Sequence, residues 1–305
     1  MAPVRFLLVG LGRMGSLHLS HILPRADAQI AGVIDPDPAR LSNLDPSIPR
    51  GSSLHDAEAW EADAAVVAAP TSAHAETALS LLKRGLHILV EKPMAHTVTA
   101  ARQMVSQAQS SGLALMVGHI ERHNPMIAAL ASALEDEPSP RLISSSRLAP
   151  RPGRIMGDGI ILDSLIHDLD IVLSLLGEDL SLEDAAGTLG PDNAPDAARL
   201  TLSAGSCRCH LFASWRTERR HRTLTVLAGE SLYLGDFIAQ SLSRIPLKGG
   251  PAQSLIMPTP GGMDNLDRQL SAFLSLIESP SRRPEPLGGL ATALSATARL
   301  AQCHA

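Results

Sequence analysis

What this chain lacks narrows the field before any motif is considered. Its 305 residues include only three cysteines, at positions 207, 209 and 303. An odd, sparse set supplies no disulfide framework and no zinc spacing. Cys207 and Cys209 fall on one face of a strand, as small core or edge residues. Positive charge is not in excess: charged residues make up 19%, hydrophobic ones 45%, and the net charge is −5. That balance fits a globular protein without a basic face, so nucleic acid is not expected as a partner. Long hydrophobic runs are missing too. Met1-Ala2-Pro3-Val4-Arg5 leads into about five apolar residues before glycines, too short for a signal peptide or a membrane span. The expectation is a cytoplasmic protein with no membrane partner. Internal repeats and low-complexity tails are absent from the sequence.

What is present begins with Arg5-Phe6-Leu7-Leu8-Val9, an apolar run followed at once by Gly10-Leu11-Gly12-Arg13-Met14-Gly15 and by the helical pattern Leu17, Leu19, His21, Ile22. This is G-x-G-x-x-G with a strand before it and a helix after it. The first glycine permits a tight turn, the second lets a diphosphate approach the backbone, and the third allows close helix–strand packing. The helix N-terminus adds partial positive charge and free N–H groups. About 20 residues on, Ile30-Ala31-Gly32-Val33-Ile34-Asp35 is a second buried strand ending in an acid. Asp35 can accept both ribose hydroxyls of an adenosine and would repel a 2′-phosphate, so NAD is favoured over NADP. Arg13 and Arg40 leave room for NADP.

Ser53 to Trp60 reads as a short amphipathic helix, and Ala64 to Ala69 as a third buried strand stopping at Pro70-Thr71. Thr71 and His74 then occupy the turn and first helical turn after that strand, where a dinucleotide would lie; a helix cap and a solvated histidine are the other readings. A helix from Ala75 to Arg84 closes with Gly85. The next strand, His87 to Val90, runs into Glu91-Lys92-Pro93, which places a lysine at the carboxyl end of a buried strand, where open α/β sheets bind their ligands. A helix from Val98 to Ser111 and a fifth strand from Leu113 to Gly118 complete a doubly wound parallel sheet.

Taken together, Gly-x-Gly-x-Met-Gly, Asp35, Pro70-Thr71-x-x-His74, Glu91-Lys92-Pro93 and the later Asp163-x-x-x-His167 resemble the family of glucose–fructose oxidoreductase, inositol dehydrogenase and the rhizopine catabolism oxidoreductases. The resemblance runs through nearly the whole chain. It implies that Gly10, Gly12, Arg13, Met14, Gly15, Asp35, Pro70, Thr71, His74, Glu91 and Lys92 border the cofactor. It also implies that Lys92 meets the reacting region of cofactor and substrate, and that Asp163 and His167 are catalytic.

The second half opens on His119-Ile120-Glu121-Arg122-His123-Asn124-Pro125, leading into a helix from Met126 to Leu134, with Asn124 placed to cap it and Pro125 at its first position. The stretch resembles the Gly-His-x-Glu-Arg-Phe-Asn-Pro signature of the branch that includes UDP-N-acetylglucosamine 3-dehydrogenases, with His123 standing where phenylalanine is usual. Arg122 and Asn124 are candidate substrate contacts; a structural salt bridge and the cap are their alternatives. After the surface connection Glu135 to Pro140 and a strand from Arg141 to Leu148, Ala149-Pro150-Arg151-Pro152-Gly153-Arg154 is a basic, restricted loop. Arg154 there could take a diphosphate or a carboxylate.

Glycines at 157 and 159 precede a helical pattern that starts at Asp163. Asp163 and His167 are four apart, on one helical face. A carboxylate so placed can hold an imidazole in one tautomer and stabilise its protonated form, as a general base needs. Asp168 and Asp170 raise a metal site as an alternative, but the four positions do not share a face, and no metal is expected. Ser181–Leu189, Ala197–Ala204, Ser206–Trp215 and Thr223–Ala228 alternate as in an antiparallel sheet. Arg216 to Arg222 is a charge run that reads as a solvated turn, with a place for Arg222 near a nucleotide phosphate as the alternative. Helices are expected over Asp264–Ile277 and Gly289–His304.

The fold expected is therefore α/β: a Rossmann domain over 1–120, then an α+β domain with a largely antiparallel open sheet over 121–305, the last helix packing back at the domain junction. The activity implied by resemblance is oxidation of a sugar ring hydroxyl. For the branch it is the 3-hydroxyl of UDP-N-acetylglucosamine, whose 3-keto product would feed an aminotransferase toward lipid A or surface polysaccharide. A dehydrogenase for inositol or another free polyol, a non-catalytic dinucleotide-binding regulator and a metal-dependent lyase or hydrolase are the rivals. A homodimer or homotetramer through the C-terminal sheet is implied by resemblance alone.

Overall fold

Five short apolar runs and a two-residue edge make the first sheet: β1 (Val4–Val9), β2 (Ala28–Ile34), β3 (Arg50–Gly51), β4 (Ala64–Val67), β5 (His87–Val90) and β6 (Leu115–Val117). All pairs are parallel, in the order β3-β2-β1-β4-β5-β6. Helices α1 (Arg13–Ile22), α2 (Pro38–Leu41), α3 (Thr71–Lys83) and α4 (Val98–Ser110) connect them. Covered strands of this kind read as apolar runs without alternation, because neither face meets water. The computed structural model describes residues 2–153, 159–177, 180–255, 263–279 and 288–303.

The register aligns the strand ends. Ile34 pairs with Val9, Val9 with Val67, Val67 with Val90, and Val90 with Val117. The next residues, Asp35, Gly10, Ala68, Glu91 and Gly118, therefore stand side by side along the carboxyl edge. Backbone bonds carry the ladder one step further, Gly10 N–H donating to Ile34 O at 2.7 Å and Glu91 N–H to Val67 O at 2.9 Å. Strand order reverses direction between β1 and β4, so the turns after these two strands form the switch-point crevice.

The segment Ser53 to Trp60 is a succession of turns rather than the expected helix. The Asp56 carboxylate accepts the N–H groups of Ser52 and Ser53 at 2.7 and 2.9 Å, and the bonds that follow run from i+3 to i, as from Ala57 N–H to Leu54 O. Trp60 then covers Gly32, where any Cβ would collide with the indole ring.

The second sheet has eight strands: β7 (Leu142–Pro150), β8 (Ser181–Leu189), β9 (Pro195–Ala204), β10 (Cys207–Ser214), β11 (Arg216–Ala228), β12 (Ser231–Asp236), β13 (Ser241–Pro246) and β14 (Gln253–Leu255), in the order β14-β13-β12-β11-β7-β10-β9-β8. It is antiparallel except for the β7–β10 pair. Alternation sets its faces. Cys207, Cys209, Leu211 and Ala213 are buried, whereas Phe212 is exposed. The run Arg216 to Arg222 is not a turn: it is the start of β11, with its pairing to β7 shifted between Arg216 and His221. The other helices are α5 (Pro125–Leu134), α6 (Ile166–Leu176), α7 (Asn265–Glu278) and α8 (Gly288–Cys303).

The chain divides into Met1–Gly118 with Leu266–Leu287, and His119–Asn265 with Gly288–Ala305. A single boundary near residue 120 therefore does not describe it. The penultimate helix returns to the first unit because its apolar stripe finds a partner there. Leu270 and Phe273 join Phe6, Leu8 and Val33 in one core, with the Phe6 and Phe273 rings 6.1 Å apart. The last helix, expected at the domain junction, packs on α6 and β8 of the second unit. Among the described residues no helix is long and apolar enough to cross a membrane.

Candidate active site

The glycine turn separates what the fold needs from what a ligand needs. Gly10 has φ +93°, and a Cβ on it would come 2.6 Å from Ala68 O; a Cβ on Gly15 would run into the carbonyl oxygen of Gly10. Both are required by the protein's own packing. Gly12 is different: its φ of −74° suits any residue, and within 4 Å its Cβ would meet only Arg40 Nη1, at 3.7 Å. The space beside Gly12 is open enough to admit a diphosphate against the backbone. No side chain caps α1 and no acid lies in its first turn, so the N-terminal N–H groups of Arg13, Met14 and Gly15 are available to phosphate oxygens. Arg13 is exposed at that terminus.

These observations predict a split. Gly12→Ala should weaken NADH binding by about tenfold or more while leaving the melting temperature close to that of the parent, whereas Gly15→Ala should lower the melting temperature. NADH fluorescence titration beside thermal unfolding reads both, and unchanged affinity in Gly12→Ala would contradict the assignment.

Asp35 is 1% exposed at the end of β2. Its Oδ2 accepts Leu11 N–H at 2.7 Å and its Oδ1 accepts Asp37 N–H at 2.9 Å. Burial pushes its carboxyl up, but these two donors and Arg40 outweigh that and hold it below the usual carboxylate range. An ionised acid at this point can accept ribose hydroxyls.

Pro70 and half-buried Thr71 open α3 at the switch point. His74 turns inward instead of toward the crevice. It is 1% exposed, with Nδ1 2.9 Å from Pro93 O and Nε2 2.8 Å from Ala69 O. The ring thus ties the turn after β5 to the end of β4. Burial lowers its basicity despite both carbonyls and nearby Glu91.

Glu91 is also committed inside the fold. Its Oε1 lies 2.8 Å from Nε2 of fully buried His18, and its Oε2 accepts Lys92 N–H at 3.3 Å. Burial raises the Glu91 carboxyl, and the bond and charge of His18, with Lys92, more than reverse it. Gly118 leaves room for that carboxylate, since a Cβ there would come 3.0 Å from it, closer than an ordinary contact. Neither His18 nor Gly118 was among the expected site residues, and a glycine ending the strand after Glu-Lys-Pro was the available signal. Lys92 itself is half-buried, and its peptide bond to Pro93 is cis.

In the second unit, a widened helical turn with i+5 to i bonding spans Ile161–Leu165, and α6 follows from Ile166. Such π-turns are frequent at functional sites. Asp163 lies in it, exposed, and His167 one turn on is buried. The His119 ring stands edge-on to the His167 ring, with centroids 6.2 Å apart.

Around them lies a buried charge network, of which only the Arg122 salt bridge was among the alternatives the sequence offered. Arg147 Nε and Nη2 donate to the Asp168 carboxylate at 2.9 and 3.2 Å, and Nη1 donates to Glu121 Oε1 at 3.0 Å. Arg222 donates to the same Glu121 oxygen at 2.7 Å. Arg122 grips Asp170 through Nε at 3.0 Å and through Nη2. Burial works against the Arg147 charge, but Asp168 and Glu121 overcome it and hold its pKa above the ordinary range. The signal was faint: Arg147 occupies the inward phase of β7, after buried Ile143 and Ser145.

The candidate substrate contacts are therefore largely occupied. Asn124 is 2% exposed; its Oδ1 caps α5 at Met126 N–H, 3.0 Å away, and its Nδ2 donates to Phe237 O at 3.5 Å. Asp168 and Asp170, the carboxylates that raised a metal site, are held by arginines. In the basic loop Arg151 pairs with Asp192 and Asp196; Arg154 lies outside the described residues. Burial, then repulsion from Arg122, pushes the His123 imidazole down to about 4, so an uncharged ring stands there at neutral pH.

The family model described as an oxidoreductase family with an NAD-binding Rossmann fold, GFO/IDH/MocA, matches residues 4–119. The UDP-N-acetylglucosamine 3-dehydrogenase of Acidithiobacillus ferrooxidans is 30% identical over 79% of this chain and 77% of its own. The chain belongs to the GFO/IDH/MocA oxidoreductase family. It is an NAD(P)-dependent oxidoreductase. A crystal structure of that A. ferrooxidans protein, GnnA, matches with a TM-score of 0.89 at 26% identity, covering 99% of both chains. The inositol 2-dehydrogenase of Rhizobium meliloti is 32% identical over 58% of this chain and 56% of its own. Similarity within the GFO/IDH/MocA family thus extends through both units for the first relative and over little more than half the chain for the second.

Proposed function

We propose that this chain is a cytoplasmic dehydrogenase that oxidises a ring hydroxyl of a sugar, the 3-hydroxyl of UDP-N-acetylglucosamine, to a 3-keto sugar nucleotide. The observation that carries the reading is the end-to-end similarity to the A. ferrooxidans enzyme, which takes in the second unit as well as the Rossmann unit. The bound dinucleotide supplies the hydride acceptor. His167 takes the hydroxyl proton. Asp163 is assigned the orienting carboxylate, a choice supported by the commitment of Asp168 and Asp170 to Arg147 and Arg122. Lys92 donates to the oxygen as it gains negative charge, stabilising the developing alkoxide or carbonyl. Arg154 is assigned to the diphosphate, and Arg122 acts on the substrate side through its grip on Asp170. Exposed Phe212 and Leu234 on the outer face of the second sheet support a homodimer or homotetramer through that face.

Oxidation of a free polyol is the second reading, favoured by the similarity to inositol 2-dehydrogenase. Initial rates of cofactor reduction against a panel of UDP-sugars, inositol and other polyols separate the two. UDP-N-acetylglucosamine should give the highest kcat/KM. Activity with a free polyol and none with any UDP-sugar would overturn the nucleotide-sugar reading.

A further inference from the structure

From Ile88 to Ala95 every residue is buried except Lys92. The strand ladder ends just before it. Glu91 N–H still donates to Val67 O at 2.9 Å and Gly118 N–H to Val90 O at 2.7 Å, whereas Lys92 N–H donates at 3.3 Å to Oε2 of its own neighbour, Glu91. Where the backbone of Lys92 stands therefore depends on where the Glu91 side chain stands. On the far side of the lysine, Pro93 O lies 2.9 Å from Nδ1 of buried His74.

Glu91 is in turn held by another element. His18 lies on the inward stripe of α1 with Gly15 and Ile22, fully buried, and its Nε2 is 2.8 Å from Glu91 Oε1. Despite burial, His18 and Lys92 hold the Glu91 carboxyl below its usual range. An ionised carboxylate can only accept, so Nε2 carries the proton. Among the described residues Nδ1 of His18 meets no partner, which leaves the polar capacity of the ring spent on Glu91. A buried pair of this kind adds little stability over two apolar side chains of the same size, but it fixes a direction. The helix whose first N–H groups are available to phosphate oxygens thus reaches, through His18 and Glu91, the backbone of Lys92.

We propose that His18 is a positioning residue for Lys92. It touches neither cofactor nor substrate; it holds Glu91 in the orientation in which Oε2 accepts Lys92 N–H, and so sets where the lysine stands relative to helix α1. The inference rests on the proposed role of Lys92 in the reaction and is independent of which sugar is oxidised.

The test reads kcat with the best substrate of the sugar panel and hydrogen exchange of the Lys92 backbone amide. The variants are His18→Met, His18→Gln, and His18→Met combined with Glu91→Met. Methionine fills the volume and donates nothing, whereas glutamine can place an amide N–H where Nε2 stands. His18→Met should lower kcat by about tenfold or more, as a displacement of about 1 Å at a reacting group does, while the NADH Kd changes by less than about threefold. The Lys92 amide should exchange about tenfold faster, the loss of one hydrogen bond. His18→Gln should recover most of both losses. The combined variant leaves no buried charge unpaired, so it should melt close to the parent and still keep the kcat loss; a merely structural histidine would give back stability and kcat together. Lys92→Met separates this inference from the reading beneath it. If that variant keeps the parental kcat, the catalytic role of Lys92 falls, and exchange at Lys92 alone decides whether His18 positions it. If it is impaired, adding His18→Met should cost less than about threefold more. Unchanged exchange at Lys92 in both methionine variants, or parental kcat in the combined variant while Lys92→Met is impaired, overturns the proposal.

Discussion

In a Lys92→Met variant, kcat for the sugar substrate is expected to fall by about two to three orders of magnitude, with the Kd for NADH almost unchanged. The magnitude is that of removing one donor from an oxygen that gains charge in the transition state. The separation of kcat from cofactor affinity follows from where Lys92 stands. The proposed diphosphate cradle, residues 10 to 15, follows β1 and the proposed ribose acceptor, Asp35, follows β2, whereas Lys92 follows β5, two and three strands away. Methionine keeps the length and apolar stem while deleting the charge. A variant with parental kcat on every nucleotide sugar and polyol would remove Lys92 from the chemistry. A companion His167→Asn variant should lose a similar factor, and on the proposed mechanism the double variant should lose much less than the product, since groups that act on the same step are not additive.

Arg147→Met should be the most destabilising single change among the residues described above, by about 3–5 kcal/mol, and should lower the melting temperature by about 10 °C. The cost comes from what is left behind. Asp168, 2% exposed, loses both of its bonds from the guanidinium, and Glu121, 7% exposed, keeps only Arg222. A buried carboxylate without a partner is penalised far more than the intact pair was favoured. Arg147→Met with Asp168→Leu should therefore recover part of the loss, since it removes both charges together. Thermal unfolding of the two variants checks this, and a single variant melting within about 2 °C of the parent would mean that water or a neighbouring arginine replaces Arg147.

Several site residues expected to face the cofactor or substrate are instead turned into the protein. His74 joins the carbonyls of Ala69 and Pro93, Glu91 is joined to His18, and Asn124 caps α5. A motif locates such residues at a strand end or helix start, and that much is local. Which way each side chain turns depends on what the neighbouring strand places beside it. The pairing of β5 with β6 sets Gly118 against Glu91, and packing of α1 brings His18 there.

Five of the six strands of the first sheet, the glycine turn, the acid after β2 and the lysine after β5 were determined by the sequence alone; the two-residue edge β3 was not. Apolar runs with a period of neither two nor 3.6, punctuated by glycine and proline, have few other uses. The resemblance to the GFO/IDH/MocA oxidoreductases was legible for the same reason, since it rests on local motifs in a given order. Tertiary structure alone decided the long-range choices. Phe273 could have joined any apolar core, and joined Phe6 across most of the chain. Arg216 to Arg222, a solvated turn by composition, became part of β11 because β7 offered it an edge. Arg147 and Asp168 became ion partners only when β7 and α6 met, and Arg40 came to share Asp35 and the space above Gly12 only when β1 and β2 were paired in register. Hydrophobic periodicity carries information about a residue's own element; the partner of a buried charge is set by packing between elements, which no local pattern encodes.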